Sequence, residues 1–144
     1  MVQNMCDALV EIDPENADLY SSHLQVLQDK IKEVDATVET LLKNSSQKAF
    51  IIYHPALTYF ARDYGLTQYC IETDGKEPTP EQLKNLIETA LEHGIKTVFI
   101  QEEFDKKNAE IIAQETECKL IVINPLAYDW PEETLKIAKA LSDE

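Results

Sequence analysis

From Ala49 onward, short apolar runs alternate with amphipathic helical segments, and this alternation constrains the fold more than any other feature of the chain. Ala49-Phe50-Ile51-Ile52-Tyr53 is a continuous apolar run of the kind that forms a buried parallel strand. A helix is expected over residues 55–64, closed by Gly65 in the C-terminal glycine position. Residues 66–72 read as a second strand, with Tyr69 and Ile71 on one face. After the loop Asp74-Gly75-Lys76-Glu77-Pro78, Thr79-Pro80-Glu81-Gln82 writes a capping box with proline at the first helical position. Leu83, Leu86, Ile87, Ala90 and Leu91 then form the expected buried stripe, and His93-Gly94 ends the helix. Residues 95–100 and 119–123 are the third and fourth strands, separated by a helix over 105–117 that buries Ala109, Ile112 and Ala113. Pro131 opens a last helix with Leu135, Ala138 and Leu141 inward. Strands alternating with helices through right-handed connections make a small, doubly wound parallel α/β sheet.

The first third of the chain has a different rhythm. Residues 2–12 read as a short helix, and Asp13-Pro14-Glu15 starts another, with Asp13 as N-cap and Pro14 at the first position. From there Tyr20, Leu24, Leu27, Ile31, Val34, Val38 and Leu41 recur at spacings of 4, 3, 4, 3, 4 and 3. That is one apolar seam on a single helix reaching about Asn44, roughly 45 Å long at about 1.5 Å per residue. Such a seam suits a coiled coil, or a helix laid across one or two compact domains. The expected organisation is therefore residues 1–48 as a short helix plus a long connecting helix, and residues 49–144 as an α/β lobe.

Composition removes whole classes of function. With 13 basic and 27 acidic residues the net charge is −14, which repels phosphate backbones and anionic membranes, so no nucleic-acid partner is expected. The only glycines, Gly65, Gly75 and Gly94, lie too far apart for a dinucleotide fingerprint or a P-loop. Cys6, Cys70 and Cys118 have no CxxC spacing and read as small buried thiols. No basic, apolar leader opens the sequence and no apolar run approaches the roughly 18 residues of a membrane span, so the chain reads as soluble and without an export signal.

In an open parallel sheet, ligands bind beyond the carboxyl ends of the strands. There the chain places His54 after strand one, Glu72 and Asp74 near the end of strand two, Gln101-Glu102-Glu103 after strand three and Asn124 after strand four. One imidazole facing carboxylates and amides suits a divalent metal or general acid–base work. Pro55 biases His54 toward extended backbone at the turn out of the sheet, where the ring either projects from the edge or packs against the next helix. His93 fits a helix C-terminus as a dipole partner, and His23 flanks the long seam on the solvent side. Asn124-Pro125 also reads as an ordinary turn. No acidic pair follows strand one, as a phosphoacceptor domain requires, and no GxSxG elbow is present.

The stretch Phe50 to Gly65, Phe-Ile-Ile-Tyr-His-Pro-Ala-Leu-Thr-Tyr-Phe-Ala-Arg-Asp-Tyr-Gly, resembles the opening of the C-terminal lobe in substrate-binding proteins of zinc and manganese ABC importers. Those proteins typically carry His-x-Ala-x-x-Tyr-Phe-x-x-x-Tyr-Gly there, and His54, Ala56, Tyr59, Phe60, Tyr64 and Gly65 fall on the pattern. Glu77-Pro78-Thr79-Pro80 before Leu83, the segment from Phe104 to Thr116, and Asn124-Pro125-Leu126 match as well. Ile12-Asp13-Pro14-Glu15-Asn16-Ala17 and the long helix look like the family's rigid connecting helix, so the resemblance covers nearly the whole chain.

The resemblance implies a strand order of 2-1-3-4, a binding role without catalysis, and a divalent metal as cargo. Zinc is the expected cargo, with manganese and iron as the other candidates. The implied partners are an ABC permease and an N-terminal lobe, in a periplasmic or extracytoplasmic setting with a lipid anchor as one option. By the family pattern His54 matches a metal-binding histidine, Asn124 falls where many members have an aspartate, and Gln101 where many have a glutamate. Both departures put an amide where the family has a carboxylate. The two histidines that an N-terminal lobe donates, one in an Asp-Pro-His-x-Trp motif, are absent from this sequence, so the implied site is incomplete. The implied order also sets Cys70 and Cys118 on opposite sheet edges, roughly 14 Å apart, beyond the reach of a disulfide. Two alternatives stand beside this reading: a small α/β enzyme with a His54-centred site, and an interaction module that dimerises through the long helix.

Overall fold

The computed structural model describes residues 1–73 and 75–142. The chain divides into two compact units, Met1–Thr37 and Val38–Glu144.

In the first unit, α1 (Val2–Ile12) is followed by a single 3-10 turn, Pro14–Asn16, and by the start of α2 (Ala17–Lys43). The helical stretch starts at Pro14 with Asp13 in the N-cap position, as expected, and its first turn is 3-10. Asp13 makes no side-chain cap, and its Oδ2 instead accepts hydrogen bonds from Asn16 Nδ2 at 2.8 Å and Tyr20 Oη at 2.6 Å. The 3-10 turn lasts three residues before the α-helix begins at Ala17. Along α2 the apolar seam is unevenly covered: Val34 and Val38 are buried, whereas Leu27 and Ile31 are exposed.

The second unit holds the sheet. Strands β1 (Ala49–Ile52), β2 (Thr67–Cys70), β3 (Thr97–Gln101) and β4 (Lys119–Ile123) are parallel and ordered β2-β1-β3-β4, as the resemblance implies. Helices α3 (Thr58–Asp63), α4 (Pro80–Glu92), α5 (Lys107–Thr116) and α6 (Trp130–Leu141) connect and follow them. Ile51, Val98 and Ile100 point to one face, where they pack with Ala90 of α4 and Ala109, Ile112 and Ala113 of α5. Strand alternation sends Phe50, Ile52 and Phe99 to the other face, and Phe50 meets Phe99 edge-to-face at 5.5 Å.

The capping box on α4 forms as read: Thr79 Oγ1 accepts from the Gln82 N–H, and Gln82 Oε1 accepts from the Thr79 N–H. Leu91, expected in the stripe of that helix, is 60% exposed, because the stripe narrows to Leu83, Leu86, Ile87 and Ala90. His93 caps α4, and its ring stacks on Tyr69 at 5.8 Å. Cys70 and Cys118 are free thiols, pushed up in pKa chiefly by burial.

The amino-terminal edge of the sheet is tied by a buried polar group. Ser45 Oγ donates to the Leu141 carbonyl at 2.6 Å and accepts the Gln47 N–H at 3.0 Å. Thr97 Oγ1, at the first residue of β3, lies 3.0 Å from Gln47 Oε1 and 3.1 Å from the Ala140 carbonyl. No buried side-chain polar atom among the described residues is left without a partner.

Candidate metal-binding edge

At the opposite edge, the carboxyl ends of the strands converge on His54. Hydrogen bonding runs past the formal strand ends: the Tyr53 N–H donates to the Phe99 carbonyl, the Ile71 N–H to Ile52, and the Glu72 N–H to Tyr53. Ile52 is in register with Cys70 on one side and Phe99 on the other. Carried two residues further, the same register sets His54 between Glu72 and Gln101.

The contacts follow that placement. His54 Nδ1 lies 2.7 Å from Glu72 Oε1, and the imidazole stacks on the Phe104 ring at 5.7 Å with an interplanar angle of 22°. Phe104 in turn stacks on Tyr53 at 4.8 Å. The His54 side chain is 49% exposed while that of Glu72 is 10% exposed, so the acid forms the floor and the ring faces outward. Gln101 is buried and spends its carboxamide on the His54 backbone: Nε2 donates to the carbonyl at 2.8 Å, and Oε1 accepts the N–H at 3.4 Å.

A second carboxamide shapes the turn after His54. Gln68 Oε1 accepts the Leu57 N–H at 3.2 Å, and its Nε2 donates to Thr58 Oγ1 at 3.1 Å. This long-range bond, together with the Ala56 N–H donated to the His54 carbonyl, holds residues 54–57 as a turn. Helix α3 therefore begins at Thr58 rather than at Pro55, a correction to the expected start.

Asn124 belongs to a different group of contacts. Its Oδ1 accepts the Leu126 N–H at 3.0 Å, and its own N–H donates to Glu133 Oε1 at 2.9 Å. It lines a cavity of about 190 Å³ with Ala56, Leu57, Phe60 and Trp130. Of the sequence-named site residues, then, His54 and Gln101 share one hydrogen-bonded cluster, and Asn124 makes a local turn beside the next strand. Asp74 lies outside the described residues.

The electrostatics of the edge are negative. Burial first, and then the nearby carboxylates of Glu77, Glu72 and Asp105, push the Tyr53 phenol up in pKa. Such a surface favours a cation. Among the described residues no group of three or more His, Cys, Asp and Glu side chains converges. The sequence alone puts Glu72 near a strand end without pairing it with His54. Counting register from the two apolar strands is the signal that finds it.

The carboxyl edge of an open parallel sheet, where this imidazole stands, is where ligands bind in α/β folds. Residues 1–137 match the family described as zinc-uptake complex component A, periplasmic, and the chain belongs to that family. A zinc-binding protein, AdcA, of Streptococcus pyogenes is 32% identical over 128 residues, covering 88% of this chain and 25% of the relative. A high-affinity zinc uptake system protein, ZnuA, of Bacillus subtilis is 32% identical over 127 residues, covering 87% of this chain and 40% of the relative. A crystal structure of ZnuA superposes with a TM-score of 0.93 at 34% identity, over 99% of this chain and 56% of that one. The chain thus spans between a quarter and about half the length of these relatives. Among the described residues no helix is long and apolar enough to cross a membrane.

Proposed function

We propose that this chain is the C-terminal metal-binding lobe of a zinc-uptake substrate-binding protein, with residues 1–48 as its connecting segment and residues 49–144 as the lobe. It captures a divalent cation outside the cytoplasm, together with an N-terminal lobe, and releases it to an ABC permease. It binds and delivers its cargo and catalyses no reaction. The observation that carries this reading is the His54 imidazole, braced by Gln101 and Glu72 and turned outward at the carboxyl edge of the sheet, in a chain of a zinc-uptake family.

His54 is the proposed ligand. Gln101 supports it through the backbone, and Asn124 is the candidate amide donor from the neighbouring strand. Zinc suits an imidazole-rich, carboxylate-poor donor set better than manganese does, and iron lies between them in preference. Because a zinc site ordinarily has about four ligands, this chain alone is expected to bind zinc weakly, and His54→Ala to abolish that binding. Calorimetry with zinc, manganese and ferrous iron tests both expectations. Submicromolar zinc affinity that survives His54→Ala refutes the assignment.

A second reading rests on a separate observation. In the unit Met1–Thr37, Val2, Met5, Leu9, Leu24 and Leu27 line an apolar groove of about 290 Å³. Association of two copies through this segment would cover it. Sedimentation of the chain and of a Leu27→Glu, Ile31→Glu variant distinguishes a dimer from a monomer.

A further inference from the structure

The contact between His54 Nδ1 and Glu72 Oε1 decides which ring nitrogen is available to anything else. A neutral imidazole carries one proton, on either nitrogen, and an ionised carboxylate only accepts hydrogen bonds. At 2.7 Å from Glu72, the ring nitrogen must therefore be the donor, which leaves the lone pair on Nε2. The ring cannot easily turn away: Phe104 stacks along one face, and Gln101 fixes the backbone that carries it. Among the described residues Nε2 has no hydrogen-bond partner. Strand register builds the arrangement, since the pairing of Ile52 with Cys70 brings residue 72 beside residue 54.

We propose that Glu72 is the positioning residue of this edge: it holds His54 as the Nδ1–H tautomer and directs the Nε2 lone pair outward to a divalent cation. The inference deepens the reading of His54 as a metal ligand and rests on it. A carboxylate behind an imidazole fixes ring orientation and raises the basicity of the outward nitrogen, and loss of such a partner typically weakens metal binding about 10–100-fold.

Long-range proton–nitrogen spectra of the His54 ring, recorded on the whole chain at about pH 8.5 where imidazoles are ordinarily neutral, report the tautomer with no metal present. The native chain is expected to show Nδ1–H. Glu72→Ala and the bulkier Glu72→Leu are each expected to release the ring to a tautomer mixture, and a fold disturbed by one of them leaves the other to report. Zinc titrated into the same samples is expected to bind about 10–100-fold more weakly in the variants. A native ring protonated on Nε2, or a variant ring that keeps the native tautomer, overturns the proposal. A tautomer released as expected, in a chain whose His54 signals do not respond to zinc, upholds Glu72 as the positioning residue and refutes His54 as the ligand.

Discussion

Gln101 grips the backbone of His54 at both ends, donating to its carbonyl at 2.8 Å and accepting its N–H at 3.4 Å, with its own side chain buried. A carboxylate here could accept but not donate, so it would face the His54 carbonyl oxygen with an unscreened charge. The amide is thus the residue type that satisfies both halves of the contact.

Gln101→Ala is accordingly expected to destabilise the lobe by about 2–4 kcal/mol in urea unfolding, from unsatisfied backbone groups and a cavity. Gln101→Glu is expected to do so in a pH-dependent way. Burial against a carbonyl raises the folded-state pKa of the new carboxyl above its unfolded value, so the folded state binds more protons and stability falls as pH rises through that window. Unfolding measured at two pH values reads the sign. Greater stability at the higher pH would refute the placement.

Glu117 adopts a left-handed conformation, φ 56°, at the end of α5, where the Cys118 N–H reaches back to the Ala113 carbonyl. Glycine takes this conformation without steric cost. Glu117→Gly is therefore expected to stabilise the lobe by about 0.5–1 kcal/mol, read as a higher melting temperature.

The buried tie between Ser45, Gln47, Thr97 and the end of α6 is expected to be costly to break. Ser45→Ala leaves the Gln47 N–H and the Leu141 carbonyl without their partner and should cost about 1–3 kcal/mol. Thr97→Val, nearly isosteric, removes the donor to the same group. Because the two share Gln47, a double-mutant cycle is expected to show non-additivity of at least about 0.5 kcal/mol.

In the unit Met1–Thr37, hydrogen bonds from Tyr20 first and Asn16 second hold the Asp13 carboxyl below its ordinary value of 3.8. The same bond, with Asp13 charge, holds the Tyr20 phenol above 10.0. A lowered acid stabilises the fold above its unfolded pKa and loses that contribution as pH falls through the folded value. A raised phenol loses its contribution as pH rises through its folded value. Tyr20→Phe is expected to return Asp13 part of the way toward 3.8, with Asn16 retaining the remainder, as read by carbon NMR titration of the carboxyl.

Much of this architecture is legible in the residues, for identifiable reasons. Runs such as Phe50-Ile51-Ile52 and the capping box at Thr79 and Gln82 act through local periodicity and neighbouring groups, which a sequence displays directly. The strand order is legible only through family resemblance, because periodicity does not say which strands lie side by side. The start of α3 is not legible locally, because Gln68, from the next strand, captures the Leu57 N–H. The site was half legible. His54 stands out as an imidazole at a strand end, but Glu72 acquires its meaning only when parallel register sets it beside the ring.

The polar tie at one sheet edge and the imidazole at the other are joined by β1, which runs from Ala49 to Ile52. From Gln47 to His54 the extended chain covers on the order of 20 Å. Mechanically, β1 is a short, stiff rod between an anchored end and a working end. Strain introduced at the anchor, by a substitution or a pull on the preceding helix, would reach the imidazole along covalent bonds. The strand therefore offers a handle for tuning the position of the imidazole from a residue remote from it.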